Sequence, residues 1–253
     1  MAHLTYPQAR LILIWTVGLS YLLMALLHFD WRSFISYIDD RPRLASLLAF
    51  AYGTLFFQLL LLPAWFVVWG DSVRACAIIF SYATLCLCSS ILGALYPALG
   101  TYVSYGVEIG DLTNINAKYG YFFLDQFHAV RDQSEYLFRL DHAKGIVTFP
   151  SVHAGAAALC AWAAWGSRIL RFPLLGLNIV MAVSAITHAN HYLIDVVAGI
   201  GITGLSISVA TAVFWRPTGD RSAVVAVAQW LRAAFGARHV SVASSAPRAS
   251  VSD

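Results

Sequence analysis

The chain has 253 residues, of which 59% are hydrophobic and 11% charged, with a net charge of +3 and four cysteines. The charged share is about half that of a soluble domain, and the mean hydropathy is +0.69. These values exclude a disordered chain, a disulfide-stapled miniprotein and a water-soluble enzyme. No Lys/Arg block interleaves with exposed aromatics, so nucleic acid is excluded as a partner.

In chain order, six windows reach the roughly 20 apolar residues a spanning helix needs: 11–29, 44–70, 75–99, 145–167, 172–187 and 191–215. The first is too long and lacks the small-residue cleavage site of a secretory signal, so it is read as a span. Cys76, Cys86, Cys88 and Cys160 all sit inside apolar runs and read as small buried residues. The one long loop, 101–144, mixes charges with Tyr119, Phe122, Phe123, Phe127, Val130, Leu137 and Phe138, a pattern that predicts an amphipathic helix at the membrane interface. Between 172 and 215 the only acid is Asp195, and that stretch is too long for one span. The chain must therefore reverse near His188 and His191. A polar tail follows, with a short surface helix expected over 222–235 and disorder over 241–253.

The expected architecture is all-α: a six-span membrane domain over 1–215, an interfacial helix between spans three and four, and a cytoplasmic tail over 216–253. With the N-terminus inside, nine of the 16 Lys and Arg fall inside and seven outside. Arg168 and Arg171 between spans four and five, and a tail whose only bases are arginines, favour both termini in the cytoplasm.

Titratable groups at membrane depth are costly and mark function. They are His153 at the start of the fourth span, His188 and His191 around the last reversal, and Asp195 one turn into the sixth span. The fourth span runs away from His153 and the fifth returns to His188, so all four groups share one side of the membrane. The long loop ends on that side too. His191 and Asp195 stand at i and i+4, the spacing of one helix face. A carboxylate there accepts from one imidazole nitrogen and leaves the other as nucleophile or base. Around Pro150 and Ser151 the sequence reads as a helix start, where free N–H groups favour a phosphate. Ala154, Gly155, Ala156 and Ala157, and further on Gly199, Gly201 and Gly204, read as close helix packing. His188 serves equally as a marker of the turn. His3, His28, His128, His142 and His239 read as structural or solvated.

GIVTFPSVHAG at 145–155 and NHYLIDVVAG at 190–199 resemble the second and third motifs of the type 2 phosphatidic acid phosphatase superfamily. The closer likeness is to the branch containing inositol phosphorylceramide synthases and their bacterial relatives, and it covers roughly 96–215. The resemblance implies an integral-membrane lipid phosphatase or phosphotransferase. His191 would attack phosphorus to give a phosphohistidine, with Asp195 orienting it. His153 would act as general acid and base, and Ser151 would hold phosphate oxygens. It also implies a lipid phosphate as partner, no metal and no cofactor, and a site on the outer face of a bacterial inner membrane. The family's first motif, Lys, six residues, then Arg-Pro, is incomplete here. Phe34 and Val209 stand where the lysine would precede Arg41-Pro42 and Arg216-Pro217, and Ala185 replaces the arginine of the third motif. Arg131, Arg139 and Lys144 are the candidate phosphate-binding cations, with His188 as a further donor. Two other classes compete. A transporter or proton relay would use His153, His191 and Asp195 nearer the bilayer midplane, and a metal site would combine His153, His188, His191 and Asp195.

Overall fold

The computed structural model describes residues 29–132, 145 and 147–215, and every regular element among them is a helix. Asp30 caps α1 (Trp31–Asp39), its carboxylate accepting from the N–H groups of Arg32 and Ser33. Pro42 sits in the first turn of α2 (Pro42–Gly53), where its missing N–H costs nothing. After a break at Thr54 comes α3 (Leu55–Val68), bent 47° from α2. Asp71 caps α4 (Ser72–Leu95). The connecting region holds a short α5 (Thr101–Tyr105), a 3-10 turn (Ala117–Gly120) and α6 (Leu124–Asp132). Then follow α7 (Val152–Ala164), α8 (Arg171–His188) and α9 (Leu193–Phe214).

By length and composition, α4, α8 and α9 can each cross a membrane, and α2 with α3 makes a fourth, bent crossing if the pair is one span. Phe50, Phe56, Phe57, Leu61 and Val68 on that pair are all at least 60% exposed, a surface that water would not tolerate and lipid would. The first apolar window, apart from Phe29, lies outside the described residues, as do Leu137, Phe138 and everything after 215. The fourth window is shorter as a helix than the sequence predicts: α7 has 13 residues. The reason is local. Pro150 and Ser151 set its start, and Trp165 closes its end. The amphipathic helix expected around Tyr119 to Val130 is interrupted, because the 3-10 turn and a following turn replace its first half.

The short α7 is the hub, packing on α3, α4, α8 and α9. Its buried face is Ala154, Gly155, Ala156, Ala157, Leu159, Cys160, Ala163 and Ala164. In lipid, helices gain little from burying apolar surface, so association relies on close backbone approach, which small residues permit. A Cβ on Gly155 would lie 2.7 Å from Thr203 Oγ1 and 2.9 Å from the Gly199 carbonyl oxygen. Of the three glycines of α9, only Gly199 is pressed this way; Gly201 and Gly204 face open space. The four cysteines are free.

Two polar devices fix the less regular parts. Asp39, buried at the end of α1, accepts from the N–H groups of Thr113, Asn114 and Ile115 at 2.8, 2.7 and 2.9 Å. This pins the loop after α5. Between helices, Asn178 of α8 donates to Gln58 of α3 at 2.8 Å, and Gln58 donates to the Thr54 hydroxyl at the α2–α3 break at 2.9 Å. Both amides are buried, so each offsets the desolvation of the other.

Candidate active site

The reversal between α8 and α9 is a four-residue linker, 189–192. Asn190 adopts φ +61°, the left-handed region that asparagine tolerates better than most residues. Its side chain is buried and does three jobs. Oδ1 accepts from the Tyr102 N–H at 2.6 Å and the Thr101 hydroxyl at 3.2 Å, and Nδ2 donates to the Gly120 carbonyl at 3.4 Å. Its own carbonyl accepts from the Thr101 N–H at 3.0 Å. Gly100 is obligatory beside it, because a Cβ there would coincide with the Asn190 amide. The Tyr102 hydroxyl donates to the Thr187 carbonyl; burial pushes this phenol well above its usual range, aided by the nearby Asp39 charge. It is therefore a fixed donor. We expect Asn190→Ala to cost about 2–4 kcal/mol, from unpaired buried N–H groups and the left-handed backbone. A fall in the detergent melting temperature greater than that of Asn190→Gly, which keeps the backbone freedom, checks this.

His191 follows directly. It lies outside α9, not within it as the i, i+4 spacing suggests: Tyr192 is the extended cap residue, and Asp195 is the third residue of the helix. Asp195 Oδ2 accepts from the Tyr192 N–H at 2.8 Å and lies 3.4 Å from His191 Nδ1. His191 is 4% exposed and Asp195 0%. The second Asp195 oxygen has no hydrogen-bond partner among the described residues. A carboxylate this buried needs the imidazole beside it. The separation is long for a hydrogen bond. With Nδ1 turned to Asp195, Nε2 is the nitrogen that the carboxylate does not engage.

The other motif is tied to the same point. Ser151 caps α7, its hydroxyl accepting from the Ala154 N–H at 3.2 Å, while its own N–H donates to the Asp195 carbonyl at 3.0 Å. A Cβ on Gly199 would run into the Ser151 carbonyl oxygen. The starts of α7 and α9 are thus in backbone contact, and His153, His188 and His191 line one cavity of about 530 Å³. His188 is 3% exposed, with Nδ1 2.7 Å from the Thr187 hydroxyl. A larger hollow of about 660 Å³ lies at the other ends of these helices, around Arg74, Trp162 and Trp215, without a histidine.

Tyr52, Tyr119, Phe122 and Phe123 supply the aromatic part of the lining of the histidine cavity. Sequence reasoning places the last three at a membrane interface and overlooks Tyr52, whose one signal is the Gly53-Thr54 interruption of an apolar run. Asn190 also escapes notice as a clamp, although it stands in the quoted motif. Of the expected cations, Arg131 sits exposed in the last turn of α6 with its guanidinium 5.3 Å from the Phe127 ring centroid, and it does not line the cavity. Arg139 and Lys144 lie outside the described residues. No Lys or Arg among the described residues lines the cavity. Nor do three His, Cys, Asp or Glu side chains among them converge as metal ligands would. The Asp195 oxygen that approaches a histidine is engaged by the Tyr192 N–H, and His188 Nδ1 faces the Thr187 hydroxyl.

A family model described as the PAP2 superfamily matches residues 21–209. The chain belongs to the PAP2 superfamily. No curated protein and no solved structure matches it. Membership supports a phosphatase or phosphotransferase type of enzyme, and the apolar helices support a membrane protein. The match begins well before the region around the two motifs. It therefore takes in α1 to α3, which the motif resemblance leaves out, and with them the Tyr52 side of the cavity. In this PAP2 superfamily chain the two motifs meet through the Ser151 to Asp195 backbone bond rather than through side chains alone.

Proposed function

We propose that the protein is a metal-independent lipid phosphatase or phosphotransferase that works through a phosphohistidine. The observation that carries this reading is the pairing of His191 with buried Asp195 across a shared cavity from His153. His191 Nε2 forms a bond to phosphorus as the bond to the leaving oxygen breaks, and His153, protonated, gives that oxygen its proton. The cationic phosphoimidazole is offset by Asp195. In the second half, water or an alcohol attacks phosphorus and yields its proton to His153, and the N–P electron pair returns to His191. Ser151, the free N–H groups at the start of α7 and His188 would hold the non-bridging oxygens, with Arg131, Arg139 and Lys144 as the cations of the neighbouring loop.

The wider setting belongs to the same proposal: six spans in a bacterial inner membrane, both termini cytoplasmic, the site at the outer face, and α6 at the interface where a lipid enters sideways. Head-group transfer to an alcohol, as in inositol phosphorylceramide synthases, is the second reading. The incomplete first motif and the cavity's lack of Lys or Arg among its described lining favour it. Transport is disfavoured, because the titratable groups gather at the ends of α8 and α9 rather than at their middles.

The test is turnover by purified protein in detergent with EDTA, on lipid phosphates and phosphodiesters, with and without alcohol acceptors, following both inorganic phosphate and lipid products. Phosphate release that survives EDTA and is blocked by vanadate, a mimic of pentacoordinate phosphorus, supports the phosphatase. A new phosphodiester without phosphate release supports the transferase. Loss of all activity in EDTA, restored by a divalent metal, overturns the mechanism.

A further inference from the structure

Among the described residues, the three histidines of the cavity are held differently. His191 has Asp195 at 3.4 Å, and His188 has the Thr187 hydroxyl at 2.7 Å. No hydrogen bond to a described residue holds His153. What fixes its ring is a face: Tyr52 lies parallel to it, ring centroids 4.3 Å apart and 15° between planes. Tyr52 comes from the last turn of α2, beside the break at Thr54, and its ring also sits 6.4 Å from His188 and 6.5 Å from Tyr119.

We propose that Tyr52 is a positioning residue for His153, holding the imidazole plane by stacking so that the ring nitrogens keep their aim into the cavity during proton transfer. This rests on the reaction proposed above. The physical basis has two parts. A ring with no hydrogen-bond partner turns freely about its side-chain torsions, and a parallel aromatic face removes that freedom without occupying either nitrogen. Both nitrogens thus stay available, which suits a group that gives a proton in one half-reaction and takes one in the other. The electron-rich face also favours the imidazolium form needed at the start. Among the described residues, the titratable groups that line the cavity with His153 are His191, His188, Tyr52 and Tyr119; none of these is a carboxylate. The aromatic face is therefore what this ring has in place of the Asp195 that serves His191.

A positioning role for a general acid makes a distinctive kinetic prediction. Loss of the acid hurts poor leaving groups and spares good ones. The experiment uses the full chain in detergent with Tyr52→Leu and Tyr52→Phe. Alkyl esters (phosphatidic acid, phosphatidylinositol) are compared with aryl esters (p-nitrophenyl phosphate, p-nitrophenyl phosphorylcholine). For Tyr52→Leu, kcat on the alkyl esters should fall roughly 10- to 100-fold, a part of the full general-acid effect. KM should stay within about 3-fold, and the p-nitrophenol burst should be nearly unchanged. Tyr52→Phe keeps the face and should restore all three values. If Tyr52→Leu is not recovered folded, Tyr52→Met supplies the same loss of face with a side chain that packs adaptably. An aryl burst rate that falls as far as turnover on the alkyl esters, no loss on either ester type, or a Phe variant as poor as Leu each overturn the positioning role alone, with the reaction intact in the wild type. A wild type that cleaves none of the four esters overturns the reaction and this role together.

Discussion

His191→Ala is expected to lower turnover at least about a thousandfold, ~4 kcal/mol of barrier. The effect is large because the substitution removes the atom that would carry the phosphoryl group, and nothing else in the cavity occupies the same position relative to Asp195. Some loss of stability accompanies it, since Asp195 is fully buried and keeps only the Tyr192 N–H and its own burial. His191→Gln, which retains a polar partner for that carboxylate, separates folding from chemistry. Asp195→Asn should cost roughly 10²- to 10⁴-fold in kcat, because the amide preserves shape but no longer fixes the imidazole tautomer or offsets its charge. Rapid acid-sensitive trapping with radiolabelled substrate should show phosphate on the wild type and none on His191→Ala. Full activity in His191→Ala would falsify the phosphohistidine route.

Gly199→Ala is the second large expectation. One methyl group is added, and its place is already taken by the Ser151 carbonyl oxygen. A flexible side chain could swing aside; a backbone carbonyl at a capped helix start cannot do so cheaply. The starts of α7 and α9 must part, and the Ser151 to Asp195 bond at 3.0 Å parts with them. Overpacking of this kind costs about 1–3 kcal/mol. The activity loss should exceed the stability loss, because the displaced groups are His153 on α7 and, at the start of α9, Asp195 with His191 in the linker before it. Gly201→Ala and Gly204→Ala, facing open space, should be neutral in both assays. A Gly199→Ala protein with wild-type melting and turnover would show that the contact is not tight.

The legible parts were those with a strong local rule. Apolar runs with at most one acid located α4, α8 and α9, because desolvated charge is costly in a bilayer. Pro150 and Ser151 located the start of α7, because capping is a short-range bargain between a side chain and free N–H groups. Topology placed His153 and His191 on one side from chain direction alone. Other features were not legible. His191 was expected inside a helix, but the Asp195 carboxylate takes the Tyr192 N–H and starts the helix two residues later. Tyr52 and Asn190 act over sequence separations of about 100 and 90 residues, reading His153 and Tyr102 as their partners, and no periodicity carries such information. Tyr119, Phe122 and Phe123 look amphipathic in sequence, since an aromatic that lines a cavity and one that lies on lipid have the same composition.

The buried amide pair of Gln58 and Asn178 has a consequence for alignment. Helices coated with leucine and phenylalanine slide along one another in lipid with little change in free energy, because each new pairing resembles the last. A donor–acceptor pair has one setting at which the Asn178 amide N–H meets the Gln58 carbonyl. It acts like the detent on a slide rule, choosing which turn of α3 faces which turn of α8. Tyr52 lies less than two turns above that detent, just beyond the Thr54 break that Gln58 also grips. The axial height of the tyrosine ring beside His153 is thus set from the α3–α8 contact, by two neutral side chains that do not line the cavity.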